Sequence, residues 1–314
     1  MFRLFYLPLT MSCLLVVFGD CSQRSHKVHS SEAILFVTEG KLPFQDYVYQ
    51  IDPDGLNLER LLSPTSNRSY IAISGNSLQS NLVVTAHETS QTGQIEDHIY
   101  LYRPKSGEWH RLIMKEGLEG DGVLSPDESK VVFTFTTKER PREYRLWIAD
   151  LSTGETRQLT TGEENTWDAH PSWKPDSQEI AFIRFRLADG SFTSKLMTVS
   201  SSSGEPTTLL NEIVANACYS PDGKQVLMLT DRGLEILDAS AGRTVIVPWS
   251  EFANYKFEAG GLVWDRTQNK IAFALLNTQS NQYELWTVSS DGKNTKQLYT
   301  VKSGRIHVAS FVKT

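Results

Sequence analysis

Apolar strands follow tight turns at regular intervals along the chain. The phrase SPDG at Ser220–Gly223 leads directly into an apolar strand, and related phrases occur at Ser125, Lys174 and Asp265. These positions are about 45 to 49 residues apart, a period that is typical of solenoids and propellers. The pattern therefore predicts a fold built from repeated units.

The chemistry of the SPDG phrase predicts a β-hairpin. Pro221 sets φ for the second turn position, Asp222 can bond its own backbone, and Gly223 accepts a positive φ. The strand before the turn should be the inner strand of each unit. The apolar strand after the turn should be buried on both faces.

Two further strands complete each unit. An aromatic-rich alternating strand follows a variable connection, and a short strand follows that one. The alternating strands begin at Tyr144, Lys195 and Tyr283, and the short strands at Thr156, Pro206 and Thr295. Four short strands separated by turns form one blade of a β-propeller.

Six such units are present, and the first lacks an inner strand. Residues 305–314 have the length of one inner strand and lie about one period after the sixth unit. We predict that this C-terminal strand pairs beside Ile34–Val37 and closes the ring, because closure removes exposed sheet edges. The sequence thus predicts an all-β, six-bladed propeller of four-stranded blades over residues 33–314.

The repeat resembles that of TolB, the periplasmic protein of the Tol–Pal envelope system. The shared features are the S-P-D-G turn, the strand L-W-x-[AV]-[DS] and the short strand [RK]-Q-L, and they extend over Ile34–Thr314. Related repeats occur in WD-type propellers and in prolyl oligopeptidases. We expect no counterpart of the N-terminal α/β domain of TolB. The resemblance implies the fold and does not imply an activity, since the motif residues build turns and core.

The N-terminal residues have the pattern of an export signal. A short basic lead precedes the apolar run Leu4–Phe18, and a polar stretch follows. A run of about 15 residues is short for a spanning helix, which needs about 20. We therefore expect a signal at residues 1–22, a spacer at 23–32 and an extracytoplasmic, periplasmic or membrane-anchored propeller.

Cys21 at the end of the apolar run is a candidate for lipid acylation, as in a bacterial lipoprotein. Asp20 departs from the small residue that usually precedes the acylated cysteine, so simple cleavage and an uncleaved anchor remain open. Membrane contact is expected only through this signal or lipid. Cys218 lies in an apolar strand phrase, where a free cysteine behaves as a small hydrophobic residue.

Charge and motifs argue against several classes of function. The formal net charge is −6, and a protein that binds nucleic acid usually has a basic excess. No G-x-S-x-G, H-E-x-x-H, C-x-x-C or P-loop sequence occurs. We therefore expect neither catalysis nor a cofactor nor a metal, and no nucleic-acid partner.

The candidate binding residues lie at one mouth of the predicted channel. His170 should lie there with Trp167 and Asp168 beside it, and His307 is expected at the equivalent position, with one blade between them. Trp167 is expected on a loop and exposed.

The lengths of the connections favour one face of the ring for recognition. Turns after the first and third strands are short, whereas the other connections emerge together on the opposite face and are predicted to be long. Long loops on a rigid scaffold usually carry binding. The predicted long connections are 38–46, 88–97, 137–143 and 186–194 within blades, and 63–69, 116–121, 160–169 and 250–258 between them.

The favoured interpretation is a non-catalytic cell-envelope propeller that binds a protein or peptide through its long-loop face. Two alternatives remain open. One is a carbohydrate-binding propeller that uses Trp167, and the other is a metal-assisted lyase or hydrolase that uses His170, Asp168 and His307.

Overall fold

The structure is a computed structural model of the chain. It describes residues 31–39, 45–90, 93–140, 142–202, 204–256, 261–267, 269–301 and 304–314. These residues form six antiparallel sheets, which are the six predicted blades. Cys21, the signal and most of the spacer lie outside the described residues, so those predictions stay predictions. Among the residues described, no helix has the length and apolar character needed to cross a bilayer.

The first three blades follow one another along the chain. The strands of blade one that come first are β1 (Glu32–Thr38), β2 (Tyr47–Ile51) and β3 (Glu59–Leu62). Blade two contains β4 (Arg68–Gly75), β5 (Leu82–Thr89), β6 (Ile95–Arg103) and β7 (Glu108–Arg111). Blade three contains β8 (Leu118–Leu124), β9 (Lys130–Thr136), β10 (Arg145–Asp150) and β11 (Thr156–Gln158).

The last three blades repeat the arrangement. Blade four contains β12 (Thr166–Trp173), β13 (Glu179–Ala188), β14 (Ser191–Ser200) and β15 (Thr207–Leu210). Blade five contains β16 (Val214–Tyr219), β17 (Gln225–Thr230), β18 (Gly233–Asp238) and β19 (Gly242–Pro248), followed by a short 3-10 helix (Trp249–Phe252). Blade six contains β20 (Tyr255–Lys256), β21 (Leu262–Trp264), β22 (Lys270–Asn277), β23 (Gln282–Ser289) and β24 (Lys296–Val301), with β20 and β21 both paired to β22.

The C-terminal strand β25 (Ile306–Lys313) closes the ring, as predicted. It pairs antiparallel with β1 and supplies the inner strand of blade one, so that Phe311 lies opposite Ile34 and Val312 opposite Ala33. Closure leaves the first blade without an exposed inner edge.

The turns after the inner strands have the predicted chemistry. Ser220 Oγ bonds to the Asp222 carboxylate at 2.7 Å, and the same carboxylate accepts the backbone N–H of Lys224. In blade six the aspartate stands at the first turn position, where Asp265 accepts the backbone N–H groups of Asn269 and Lys270. The D-R-T sequence therefore builds the same kind of turn as S-P-D.

The hydrophobic core lies between adjacent blades rather than in the channel. The strand after each turn is buried on both faces, and four blades place a fully buried phenylalanine in its middle. These residues are Phe36, Phe133, Phe182 and Phe273.

The prediction of long connections was wrong for two of the hairpins. Residues 186–194 are mostly strand, because β13 and β14 continue to a two-residue turn at Asp189 and Gly190. Their φ values are 51° and 73°, and positive φ at both positions is the mark of the tight turns that match strand twist. Residues 88–97 are likewise partly paired, with β5 reaching Thr89 and β6 starting at Ile95.

Candidate functional site at the channel mouth

The six inner strands surround a central channel with a cavity of about 360 Å³. Small and apolar side chains such as Ala72, Ala217 and Val308 form much of its wall. Ionisable side chains enter the lining at Asp121, His170 and His307. The site therefore lies where the inner strands begin, on the face of the β13–β14 hairpin.

Asp121 and His170 occupy the same position in blades three and four, three residues before Leu124 and Trp173. Each lies at a break in strand register, and their φ values are 45° and 53°. The left-handed region is costly for residues with a side chain, and His170 also precedes Pro171. Such strain persists where the surrounding structure imposes it, which is common at functional sites.

A hydrogen bond joins the two strained residues. The backbone N–H of His170 donates to Asp121 Oδ2 at 3.1 Å. The bond satisfies an N–H group that the strand irregularity removes from the sheet, and it fixes the Asp121 carboxylate in the channel wall. Asp121 did not stand out in the sequence. Its relation to His170 becomes visible only when the repeats are aligned by their inner strands.

Blade six has the same backbone conformation at this level, three residues before Trp264. Gly261 has φ +92°, and a Cβ atom there would lie 1.9 Å from the carbonyl oxygen of Val308. Only glycine fits this contact between the inner strands of blades six and one. The left-handed residue is therefore a recurrent feature of the mouth.

The His170 imidazole is poorly placed to carry a charge. Burial in the channel wall lowers its pKa from the ordinary 6.5, the Asp121 carboxylate opposes that shift, and the charge of His307 adds to it. The ring meets Phe185 edge-on, with centroids 6.1 Å apart. His170 is thus a neutral polar group at neutral pH.

His307 does not match His170 as predicted. His307 pairs with Val37 across the sheet. The equivalent of His170 is instead Val308, because Val308 lies three positions before Phe311, as His170 lies three positions before Trp173. Blades one and four are also opposite each other in the ring, with two blades between them on each side. The two histidines therefore lie on opposite sides of the mouth, because the closing strand belongs to blade one.

Two ion pairs between a histidine and a carboxylate lie on the same rim. His307 Nε2 is 2.9 Å from Glu39 Oε1, and this bond lowers the pKa of Glu39. His87 Nδ1 is 2.5 Å from Asp97 Oδ1, and this bond raises the pKa of His87. Sequence reasoning missed the second pair because it assigned residues 88–97 to a loop, whereas His87 and Asp97 are partners across β5 and β6.

Asp168 is not part of the mouth. Its carboxylate is fully buried and bonds to Arg184 through Nε at 2.7 Å and Nη2 at 2.9 Å. Thr160 Oγ1 also donates to it, at 2.6 Å. Successive side chains of β12 point to opposite faces of the sheet. Trp167 and Ala169 pack against blade five, so Asp168, which lies between them, points to the other face. Its contacts are those of a structural ion pair.

Trp167 lies on β12, so its assignment to a loop was wrong. It pairs with Phe185 and stacks on that ring with centroids 5.4 Å apart and planes at 28°. Phe185 stacks in turn on Phe192 at 5.4 Å and 29°. Trp167 is also 6.0 Å from Phe192 between ring centroids, so half-buried Trp167 belongs to a cluster of three aromatic rings.

The residues proposed for a metal-assisted reaction do not converge. Within the described ranges, no three His, Cys, Asp or Glu side chains are grouped so that they could hold a metal ion. Cys218 lines the channel, and burial raises the pKa of its thiol to about 12. It is therefore an unreactive part of the wall.

The fold is a closed six-bladed β-propeller, and solved TolB structures share it. TolB from Acinetobacter baumannii is similar at a TM-score of 0.67 and 18% identity, over 90% of this chain and 66% of that one. The putative TolB from Agrobacterium tumefaciens is similar at 0.62 and 13%, over 87% of this chain and 90% of that one. The chain thus spans slightly less than two thirds of the Acinetobacter protein.

An enzyme also shares the fold. Oligogalacturonate lyase from Vibrio parahaemolyticus is similar at a TM-score of 0.54 and 14% identity, over 87% of this chain and 74% of that one. Similarity at these identities establishes the propeller and no activity. No protein-family model and no curated protein matches the chain.

Proposed function

We propose that this protein is a non-catalytic, extracytoplasmic propeller that binds a protein or peptide at the channel mouth. The observation that carries the proposal is the pair Asp121 and His170. Two adjacent blades each use a strained left-handed residue to place a polar side chain at the same opening. Strain of this kind is a common feature of functional sites.

The surroundings of the pair suit recognition better than chemistry. Glu39 and Asp97 are held by histidines on the rim, and Asp168 is held by Arg184 in the interior. The rim therefore offers fixed charges to a partner. The TolB structures with the same fold support a binding role.

The location outside the cytoplasm rests on the N-terminal pattern and on the TolB resemblance. Mass spectrometry of the mature N-terminus tests it. A diacylglyceryl group on Cys21 identifies a lipoprotein, cleavage without a lipid identifies a periplasmic protein, and an intact N-terminus with the apolar run Leu4–Phe18 identifies a membrane anchor.

A carbohydrate-binding role is the second candidate, and the cluster of rings formed by Trp167, Phe185 and Phe192 favours it. Aromatic faces exposed on a rigid support can stack on sugar rings. Binding on a glycan array that disappears with Trp167→Ala would establish this function in place of peptide binding.

Affinity capture from envelope extract tests the principal proposal. Wild-type protein is compared with Asp121→Asn, which keeps an acceptor for the His170 N–H, and with Lys224→Ser on the opposite face, where the lysine is 80% exposed. We expect the same partner with wild type and Lys224→Ser, and a clear loss with Asp121→Asn. Loss with Lys224→Ser alone would place the binding face on the turns.

A further inference from the structure

The β13–β14 hairpin of blade four projects beyond its neighbour. β13 and β17 both follow the equivalent turn directly, but β13 has ten residues and β17 has six. The blade-four hairpin therefore extends four residues past the end of β17. Its strands are paired throughout, up to Ala188 opposite Ser191, so the extension is a continuous part of the sheet.

The extension presents an uncovered apolar face toward blade five. Leu187 and Phe192 are directly opposite each other, and their exposed fractions are 47% and 50%. They continue the face of Phe185 and Trp167, which packs on blade five closer to the core. We call these four residues the hairpin surface. Apolar side chains scattered singly need no explanation, but a contiguous group marks an interaction site.

The hairpin surface is continuous with the channel mouth. Phe185 contacts the ring of His170, and the backbone of His170 holds the Asp121 carboxylate. Of the described residues that line the channel, Asp121 is the only acid, and no lysine or arginine lines it. A positively charged group complements this carboxylate, because His170 is neutral beside it.

We infer that the partner is a peptide segment with two anchors. An apolar or aromatic residue covers Leu187 and Phe192, and a lysine or arginine binds Asp121 at the mouth. This inference rests on the proposed function and specifies its partner. A neutral sugar would satisfy the rings but would leave the carboxylate without a counter-ion, so a cationic peptide fits both features.

The geometry sets the spacing of the two anchors. The ring centroids of Phe192 and Phe185 are 5.4 Å apart, and those of Phe185 and His170 are 6.1 Å apart. The end-to-end distance of the two steps is at most their sum. An extended chain rises about 3.3 Å per residue, so the segment should carry its cationic residue within about four residues of the apolar one.

Selection from a phage-displayed library of random dodecapeptides tests the inference with the full chain. We expect the selected peptides to share an aromatic or aliphatic residue within about four positions of Lys or Arg. For a synthetic selected peptide, the dissociation constant should be about tenfold or more higher than with wild type for each of the variants Phe192→Ser, Leu187→Ser and Asp121→Asn. It should bind Lys224→Ser like wild type. We expect each variant to fold, because all four side chains are exposed or lie in the channel. Circular dichroism and thermal melts test this.

The outcomes separate the inference from the proposed function. If selected peptides lose affinity for Asp121→Asn but bind both hairpin variants normally, the hairpin anchor is wrong and binding at the mouth stands. If none of the three variants changes affinity, both are wrong. Light scattering that shows a wild-type dimer and a Phe192→Ser monomer would assign the surface to a second copy and overturn the inference, as would exclusive binding of glycans.

Discussion

The backbone N–H of His170 donates to Asp121 Oδ2 at 3.1 Å, and the two residues are 49 positions apart. That separation is one period of the repeat, so the bond joins the same position of adjacent blades. The repeat thereby builds a link between neighbouring inner strands at the channel mouth. At the same position blade five has Asn216, three residues before Tyr219, and blade six has Gly261. The ionisable pair of blades three and four is therefore a local modification of a common frame.

The first prediction concerns the contribution of this link to stability. Asp121→Ala leaves the N–H of His170 without its acceptor, and we expect a loss of about 1 to 3 kcal/mol in the free energy of unfolding. Asp121→Asn retains an acceptor and should lose less. Urea denaturation followed by tryptophan fluorescence measures both. Equal stability of the two variants and wild type would show that water replaces the carboxylate without cost.

The buried ion pair of blade four should be far more sensitive. Arg184→Met removes both hydrogen bonds of the guanidinium to Asp168, whose carboxylate is fully buried. An uncompensated buried charge costs about 3 to 5 kcal/mol, measured again by urea denaturation. Arg103→Met is the matched control, because its partner Glu108 is 64% exposed and an exposed pair contributes about 0 to 1 kcal/mol. Similar losses for both variants would contradict this assignment.

Ring closure should depend on the C-terminal strand. Phe311 is 5% exposed and pairs with Ile34, so Phe311→Ala should destabilise the protein by about 3 to 5 kcal/mol. The backbone amides of Glu32–Thr38 should also exchange with deuterium faster than in wild type. Exposed Thr314 provides the control as Thr314→Ser. Unchanged exchange in β1 of a folded Phe311→Ala protein would show that blade one does not need this strand.

His87 and His170 should titrate in opposite directions from the ordinary value of 6.5. The pKa of His170 is lower in the folded state than in the unfolded state. The free energy of unfolding therefore decreases as the pH falls from the unfolded-state pKa toward the folded-state pKa. The folded-state pKa of His87 is raised by Asp97, so its contribution is complete below about pH 6.5 and is lost as pH rises through the folded pKa. NMR titration of the imidazole protons measures both.

Asp97→Asn is the control for that titration. It removes the carboxylate beside His87 and should lower the pKa of His87 without moving that of His170. A His170 pKa at or above 6.5 in the wild type would contradict the burial of its ring in the channel wall.

The repeat made the fold predictable from local chemistry. The SPDG turn, the apolar strand after it and the spacing of the units are all properties of short segments, and they fixed the six blades and the closing strand. Even the non-local pairing of the C-terminal strand with β1 followed, because a unit that lacks one strand and a terminus that supplies one leave a single arrangement.

The site was harder to predict because its contacts cross between blades. Asp168 looked available beside His170, but its partner Arg184 lies across the sheet on β13. Trp167 looked exposed because its segment carries polar neighbours, whereas β12 continues through it. The alignment of His307 with His170 was wrong by one residue. Each of the two inner strands contains one extra, unpaired residue, and its position is known only from the strand pairing.

The turn at Asp189 and Gly190 was the most informative sequence feature that the analysis of connections missed. Asp-Gly flanked by alternating apolar residues is a strong indication of a two-residue hairpin, and Leu187 and Phe192 flank it here. By that rule, residues 186–194 form paired strands with an apolar face, and the projecting hairpin follows from the sequence.

Hydrogen–deuterium exchange of the complex with its captured partner tests the central claim most directly. We predict protection of amides in Gly120–Val123, in Thr166–His170 and along the β13–β14 hairpin, all on the face of the channel mouth. Protection confined to the turns at Ser125–Ser129 and Ser220–Lys224, on the opposite face, would contradict the account.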